Sequence, residues 1–143
     1  MSNTRAATVP LVEESNATGL VAEIFADIKT TKNIDFVPAF WRTLATNPQL
    51  LQGIWTQLKR VMHPESCGIA SRLDGKTREM LALAVSATNG CSYCVNSHTA
   101  ALKKLGVDNE TIGEVLAVTA LFNATNSLAD GFQIEPDVRP PLE

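Results

Sequence analysis

An all-α domain is what this sequence predicts, on three observations. Apolar residues make up 45% of the chain but aromatics only 6%, so the hydrophobic mass is mostly Ala, Leu and Val, which favours helices over short strands. Apolar positions recur at helical spacing in segment after segment. Proline, glycine and asparagine stand between those segments at intervals that suit helix ends. With 143 residues and no internal repeat or low-complexity stretch, the chain reads as one domain, 1–143, with room for a real core.

Residues 1–16 read as an extended N-terminal arm, without the charged-then-apolar pattern of a secretory signal. Thr18 is the candidate N-cap of the first helix, "TGLVAEIFADIKTTK", which lines up Leu20, Val21, Ile24, Phe25 and Ile28 on one face. "NIDFVP" breaks it at Pro38. "AFWRTLATN" is a short helix that stops before Pro48, because the residue preceding a proline is pushed out of the helical well. "PQLLQGIWTQLKRVMH" opens with Pro48 in its first turn and carries Leu51, Ile54, Trp55, Leu58, Val61 and Met62. "PESCGIASRLDG" is a linker.

From about Asp74, "GKTREMLALAVSATNG" is strongly helical and stops at Asn89-Gly90. "CSYCVNSHTAALKKLG" is the next helix, with Lys103 and Lys104 in its last turn and Gly106 at its end. Asp108 caps a final helix that runs to about Ala129, and residues 133–143 form a Pro-rich tail. The final helix is apolar most of the way round, through Ile112, Val115, Leu116, Val118, Leu121, Phe122 and Leu128. Such a helix is expected to be buried on more than one face, and a homo-oligomer supplies the extra face.

Charge and cysteine usage narrow the function. The net charge is −3 and Lys and Arg form no stripe, which argues against nucleic acid and against an anionic membrane surface as partners. No apolar run reaches the roughly 18 residues that span a bilayer, so the expected location is cytoplasmic. Three cysteines in a reducing compartment make a poor disulfide framework, and a Cys-x-x-Cys there points to catalysis or metal binding.

That pair lies in "NGCSYCVNSHTAALKKLG". On a helix starting near Cys91, positions 91, 94 and 98 fall within an arc of roughly 60°, so Cys91, Cys94 and His98 share one face. Cys91 lies at the helix N-terminus and Cys94 in its first turn, where free N–H groups and the helix dipole favour a thiolate. His98, four residues after Cys94, is placed to exchange a proton with that sulfur. Upstream, Glu79 sits among apolar neighbours in "EMLALAV", where a carboxylate needs a partner. If Asn89-Gly90 folds the two helices into a hairpin, Glu79 and His98 come within roughly 3 Å of the same axial level. The resulting reading is a Glu79–His98–Cys94 proton relay, with Cys91 close enough to Cys94 for a disulfide.

Rival readings remain at this point. Zinc has three legitimate ligands in Cys91, Cys94 and His98, with Glu79, His63 or Cys67 to complete a tetrahedron, but no second ligand pair stands at recognisable spacing. Covalent haem attachment requires histidine directly after the second cysteine, and Val95 stands there. A structural reading makes the two thiols and His98 ordinary core residues. His63 and Cys67 read as bystanders, Arg78 as a surface or interface ion-pair residue, and Phe36, Phe40, Trp41 and Trp55 as core or pocket lining.

Glu79, then Cys91 twelve residues on, then Cys94 and His98, resembles the core motif of the AhpD-like alkylhydroperoxidases, within the carboxymuconolactone decarboxylase superfamily. The likeness runs over about residues 38–132, including "PAFWRTLATNPQLLQG" and "TREMLALAVSATNGCSYCVNSHTAALKKLG". The resemblance implies an all-α fold and a trimer, hexamer or similar assembly. It further implies that Cys94 attacks an organic hydroperoxide and becomes a sulfenic acid, and that Cys91 resolves this to a Cys91–Cys94 disulfide. An external dithiol or disulfide reductase then regenerates the thiols, while Glu79 and His98 relay protons. No metal and no organic cofactor is implied. Some members of the family carry a histidine just before the second cysteine, where this chain has Tyr93. The decarboxylase branch generally lacks the cysteine pair. The alternatives kept beside the peroxidase are a thiol-disulfide oxidoreductase without peroxidase activity, and a lyase-like or zinc-binding non-redox protein.

Overall fold

Capping residues decide where the helices of this chain begin and end. In the computed structural model, which describes residues 7–142, the α-helices are α1 (Gly19–Lys32), α2 (Ala39–Leu44), α3 (Pro48–Met62), α4 (Gly75–Thr88), α5 (Ser92–Lys104) and α6 (Asn109–Gly131). Two short 3-10 turns, Glu14–Asn16 and Pro64–Cys67, are added to them, and no strand occurs among the described residues. The all-α expectation holds.

The Asn47 side chain accepts from the Leu50 N–H (3.2 Å), Asp74 from Thr77 (2.7 Å) and Asp108 from Thr111 (2.7 Å), each satisfying an orphan donor of a first turn. Those backbone N–H bonds hold the Asp74 and Asp108 carboxyls below the usual aspartate range. Thr18 occupies the N-cap position of α1, but its side chain makes no capping hydrogen bond. At the other ends, Gly90 (φ 70°) and Gly106 (φ 78°) take the left-handed conformation that a Cβ disfavours. Beyond each of them the next N–H turns back onto the helix: Cys91 donates to the Ser86 carbonyl and Val107 to the Leu102 carbonyl, both at 3.0 Å.

Two compact units divide the chain, Met1–Arg72 and Leu73–Glu143, with the break inside the stretch read as a linker. In the first unit α1, α2 and α3 enclose Ile24, Phe25, Ile28, Val37, Leu51 and the edge-to-face pair Trp41–Trp55, whose ring centroids lie 5.1 Å apart. Trp55 Nε1 donates to Asp27 (2.7 Å), which also receives the Lys59 ammonium at 2.8 Å. These bonds outweigh the burial of the Asp27 carboxyl, which alone would raise its pKa, and leave it lowered. The two tryptophans are core, whereas Phe36 and Phe40 are exposed. The arm expected at residues 1–16 falls outside the described residues up to residue 6; beyond that, Val12 and Arg42 exchange hydrogen bonds through the Val12 backbone, and Glu14 takes the Lys29 ammonium at 2.9 Å.

In the second unit α4 and α5 form an antiparallel hairpin over Asn89-Gly90, and α6 packs on α4, with Thr88 and Asn123 hydrogen-bonded side by side. The shared core is Leu83, Leu102, Val107 and Ile112, flanked by Met80, Val95 and Val115. Arg78, expected in a surface or interface ion pair, is buried within this chain. The final helix, whose extra apolar face was assigned to a homo-oligomer, buries only Ile112 of its 23 residues within this chain.

Candidate active site

The site is built from the end of α4, a two-residue turn and the start of α5. Gly90 permits the left-handed turn that brings Cys91 back under α4, and Cys91 is at once the residue that closes the end of α4 and the N-cap of α5. Its sulfur accepts the Cys94 backbone N–H at 3.2 Å, a role that Ser, Thr or Asp fills on most helices. Cys91 and Cys94 are joined by a disulfide, with their Cα atoms 5.2 Å apart. Both cysteines are half-buried. Because Cys94 lies in the first turn, each sulfur faces the positive end of the α5 dipole, which stabilises whichever sulfur carries the charge after the bond opens.

Two turns along α5, His98 Nδ1 lies 2.7 Å from Glu79 Oε2 on α4. Both side chains are withdrawn from solvent, Glu79 to 13% exposure and His98 to 25%. A carboxylate this close to Nδ1 fixes the proton on that nitrogen when the ring is neutral, so Nε2 is the nitrogen with a lone pair to offer. The four residues picked out in the sequence thus stand as two pairs, one covalent and one hydrogen-bonded, on one hairpin.

Tyr93, between the cysteines, is exposed. Cys67 is a free, exposed cysteine, and like His63 it belongs to the first unit. Among the described residues no group of three or more His, Cys, Asp or Glu side chains is arranged to hold a metal ion. No described helix is long and apolar enough to cross a membrane.

Sequence reasoning passed over Ser86. It lies seven residues after Glu79, two turns along the same face of α4, and is buried at 8% exposure. Its carbonyl receives Cys91 and its hydroxyl donates to the Ala82 carbonyl at 2.6 Å. The i+7 spacing from Glu79 was the available signal.

The profile of the carboxymuconolactone decarboxylase family matches residues 55–134, which contain the whole hairpin. A crystal structure described as the alkylhydroperoxidase AhpD core from Rhodospirillum rubrum superposes with a TM-score of 0.84 at 41% identity, over 93% of this chain and 96% of that one. Proteins named alkyl hydroperoxide reductase AhpD are also similar: 44% identical over 52 residues in Streptomyces avermitilis and 46% over 52 residues in Streptomyces griseus. Each of these matches covers 36% of this chain and 29% of the relative, so the chain spans less than a third of these longer proteins. On the family profile and the full-length structural match, the chain belongs to the carboxymuconolactone decarboxylase family, as an AhpD-like member.

Proposed function

We propose that this protein is a thiol-dependent peroxidase acting on organic hydroperoxides. The observation that carries the reading is the pairing of a Cys-x-x-Cys at the start of α5 with a half-buried Glu79–His98 pair on the same hairpin. In the dithiol state, Nε2 of His98 takes the Cys94 proton, and Glu79 stabilises the imidazolium so formed. The Cys94 thiolate attacks the terminal peroxide oxygen. The O–O bond breaks, Cys94 becomes a sulfenic acid, and the alkoxide leaves with the proton that His98 holds, as an alcohol. The Cys91 sulfur then attacks the Cys94 sulfur, expelling water and closing the disulfide. An external dithiol reduces that bond, so a hydroperoxide and a dithiol become an alcohol, water and a disulfide. Such a reductant suits a cytoplasmic setting.

The test is a thiol count on the reduced protein before and after one equivalent of an organic hydroperoxide, with mass spectrometry to locate the change. Rapid loss of two thiols as a Cys91–Cys94 disulfide is expected. Thiols that persist would leave disulfide exchange without peroxide chemistry as the activity, and that second reading draws on the same cysteine pair.

The working unit is a homo-oligomer in this reading, a trimer or hexamer. Residues 115–129 of α6 contain no charged side chain, yet Val118, Leu121 and Phe122 are 58%, 59% and 55% exposed in the single chain. A second copy of this chain covers that surface. Phe122→Glu is expected to shift the assembly to a smaller species in sedimentation velocity; an unchanged sedimentation coefficient would move the interface elsewhere.

A further inference from the structure

The contact between Glu79 and His98 sets the register of the α4–α5 hairpin, and the Cys91 N–H on the Ser86 carbonyl sets it again two turns away. Seven residues along α4 from Glu79 is Ser86; seven residues back from His98 is Cys91, the N-cap of α5. The first step covers about 10 Å of helix and returns to nearly the same face, and the second covers about the same length to the start of α5. Ser86 is therefore to Cys91 what Glu79 is to His98: the polar side chain of α4 at that level of the hairpin. It is buried, on the side of α4 from which Glu79 reaches α5, and its hydroxyl carries one proton.

In the disulfide state that proton goes to the Ala82 carbonyl. This carbonyl lies within α4 and already accepts the backbone N–H of Ser86 as its ordinary helical bond, so it loses no obligatory partner when the hydroxyl turns away. A disulfide sulfur is a poor acceptor, whereas a thiolate is a charged one, and hydrogen bonds to charged groups are about twice as strong as neutral ones. We infer that on opening of the disulfide the Ser86 hydroxyl rotates about χ1 and donates to the Cys91 thiolate, joining the Cys94 N–H as its second donor.

This inference rests on the thiol–disulfide reading above and gives the reductive half-reaction a direction. The thiolate of an external dithiol attacks the Cys94 sulfur. A mixed disulfide forms there, the Cys91–Cys94 bond breaks, and its electron pair leaves on Cys91, where two donors receive it. The second thiol of the reductant then attacks its own sulfur in the mixed disulfide, loses its proton to solvent, and releases Cys94 as a thiolate that takes up a proton. The same stabilised Cys91 thiolate is the group that later attacks the Cys94 sulfenic acid, whose hydroxide leaves as water with a proton taken from solvent.

The test uses the full chain with Cys67→Ala, so that the exposed thiol does not contribute. With Cys94→Ser added, the ultraviolet absorbance of the Cys91 thiolate is titrated with and without Ser86→Ala. Loss of the hydroxyl is expected to raise the Cys91 pKa by about one unit. With both site cysteines present, equilibration with glutathione is expected to show the Ser86→Ala disulfide about tenfold harder to reduce, or about 30 mV lower in potential. Ser86→Thr keeps a hydroxyl and should restore both values. An unmoved pKa and potential in a folded Ser86→Ala protein would overturn the inference. So would a Ser86→Thr protein that behaves like Ser86→Ala, because packing rather than the hydroxyl would then set the thiol. Neither readout uses peroxide, so a protein that shows these shifts yet consumes no hydroperoxide overturns the peroxidase reading and leaves the role of Ser86 standing.

Discussion

Cys94→Ser is expected to reduce hydroperoxide turnover to the uncatalysed background, whereas Cys91→Ser is expected to consume one equivalent of hydroperoxide and stop. The two thiols sit three residues apart on one turn, and only their separate deletion distinguishes nucleophile from resolver. A free thiol near pKa 8.5 is about 3% ionised at neutral pH, and a helix N-terminus raises that fraction; a serine hydroxyl remains protonated in the same place. In Cys91→Ser the attack on peroxide still proceeds, but the Cys94 sulfenic acid has no neighbouring sulfur to condense with. It should accumulate and react with a sulfenic-acid-specific carbon nucleophile, giving a mass adduct on the peptide that holds Cys94. If instead Cys94→Ser consumes the single equivalent and Cys91→Ser none, the roles of the two sulfurs are exchanged. The N-cap position of Cys91 makes that reversal a real alternative, because its sulfur is the one that accepts a backbone N–H in the disulfide state.

Much of this site was legible in the sequence because it is local. Helix periodicity put Cys91, Cys94 and His98 on one face, and Asn89-Gly90 announced a tight turn. From those two facts the level of Glu79 against His98 followed by axial rise alone, and the 2.7 Å contact lies where that arithmetic puts it. Pro48 in the first turn of α3 and Asp108 as the cap of α6 were readable for the same reason, since each acts within one turn of itself.

What escaped the sequence depends on which face meets which neighbour. Arg78 was expected in a surface or interface ion pair because arginine is usually exposed, but its position on α4 is buried within the chain. Helix α6 was expected to be covered on several faces because it is apolar all round. Within one chain α4 is its main neighbour and Ile112 its one buried residue, so most of its apolar surface is left bare. Composition says that such surface must be covered; it does not say by which chain. Ser86 was missed because a serine inside a helix carries no charge, and its i+7 spacing from Glu79 gains meaning only beside the hairpin partner.

The second large effect expected is a large loss of stability in Leu83→Ala. Leu83 has no solvent exposure and meets Leu102, Val107 and Ile112 where α4, α5 and α6 converge. Truncating a leucine in such a position costs about 2–5 kcal/mol, against a total stability of about 5–15 kcal/mol for a domain. The disulfide offers limited help, because closing so short a loop contributes about 2 kcal/mol by chain entropy. A redox site must also survive opening of its own disulfide, so the apolar core and not the S–S bond has to hold the hairpin in the dithiol state. Urea unfolding of oxidised and reduced protein should therefore show Leu83→Ala lowering both midpoints, with the reduced variant the least stable of the four. Leu81→Ala, two residues away on a 54% exposed position of α4, is the control and should shift the midpoint little in a dissociated chain. Equal losses at Leu81 and Leu83 would mean that the outer face of α4 is buried in the assembled protein. A Leu83→Ala protein of undiminished stability would mean that the hairpin is held by something other than this four-residue core.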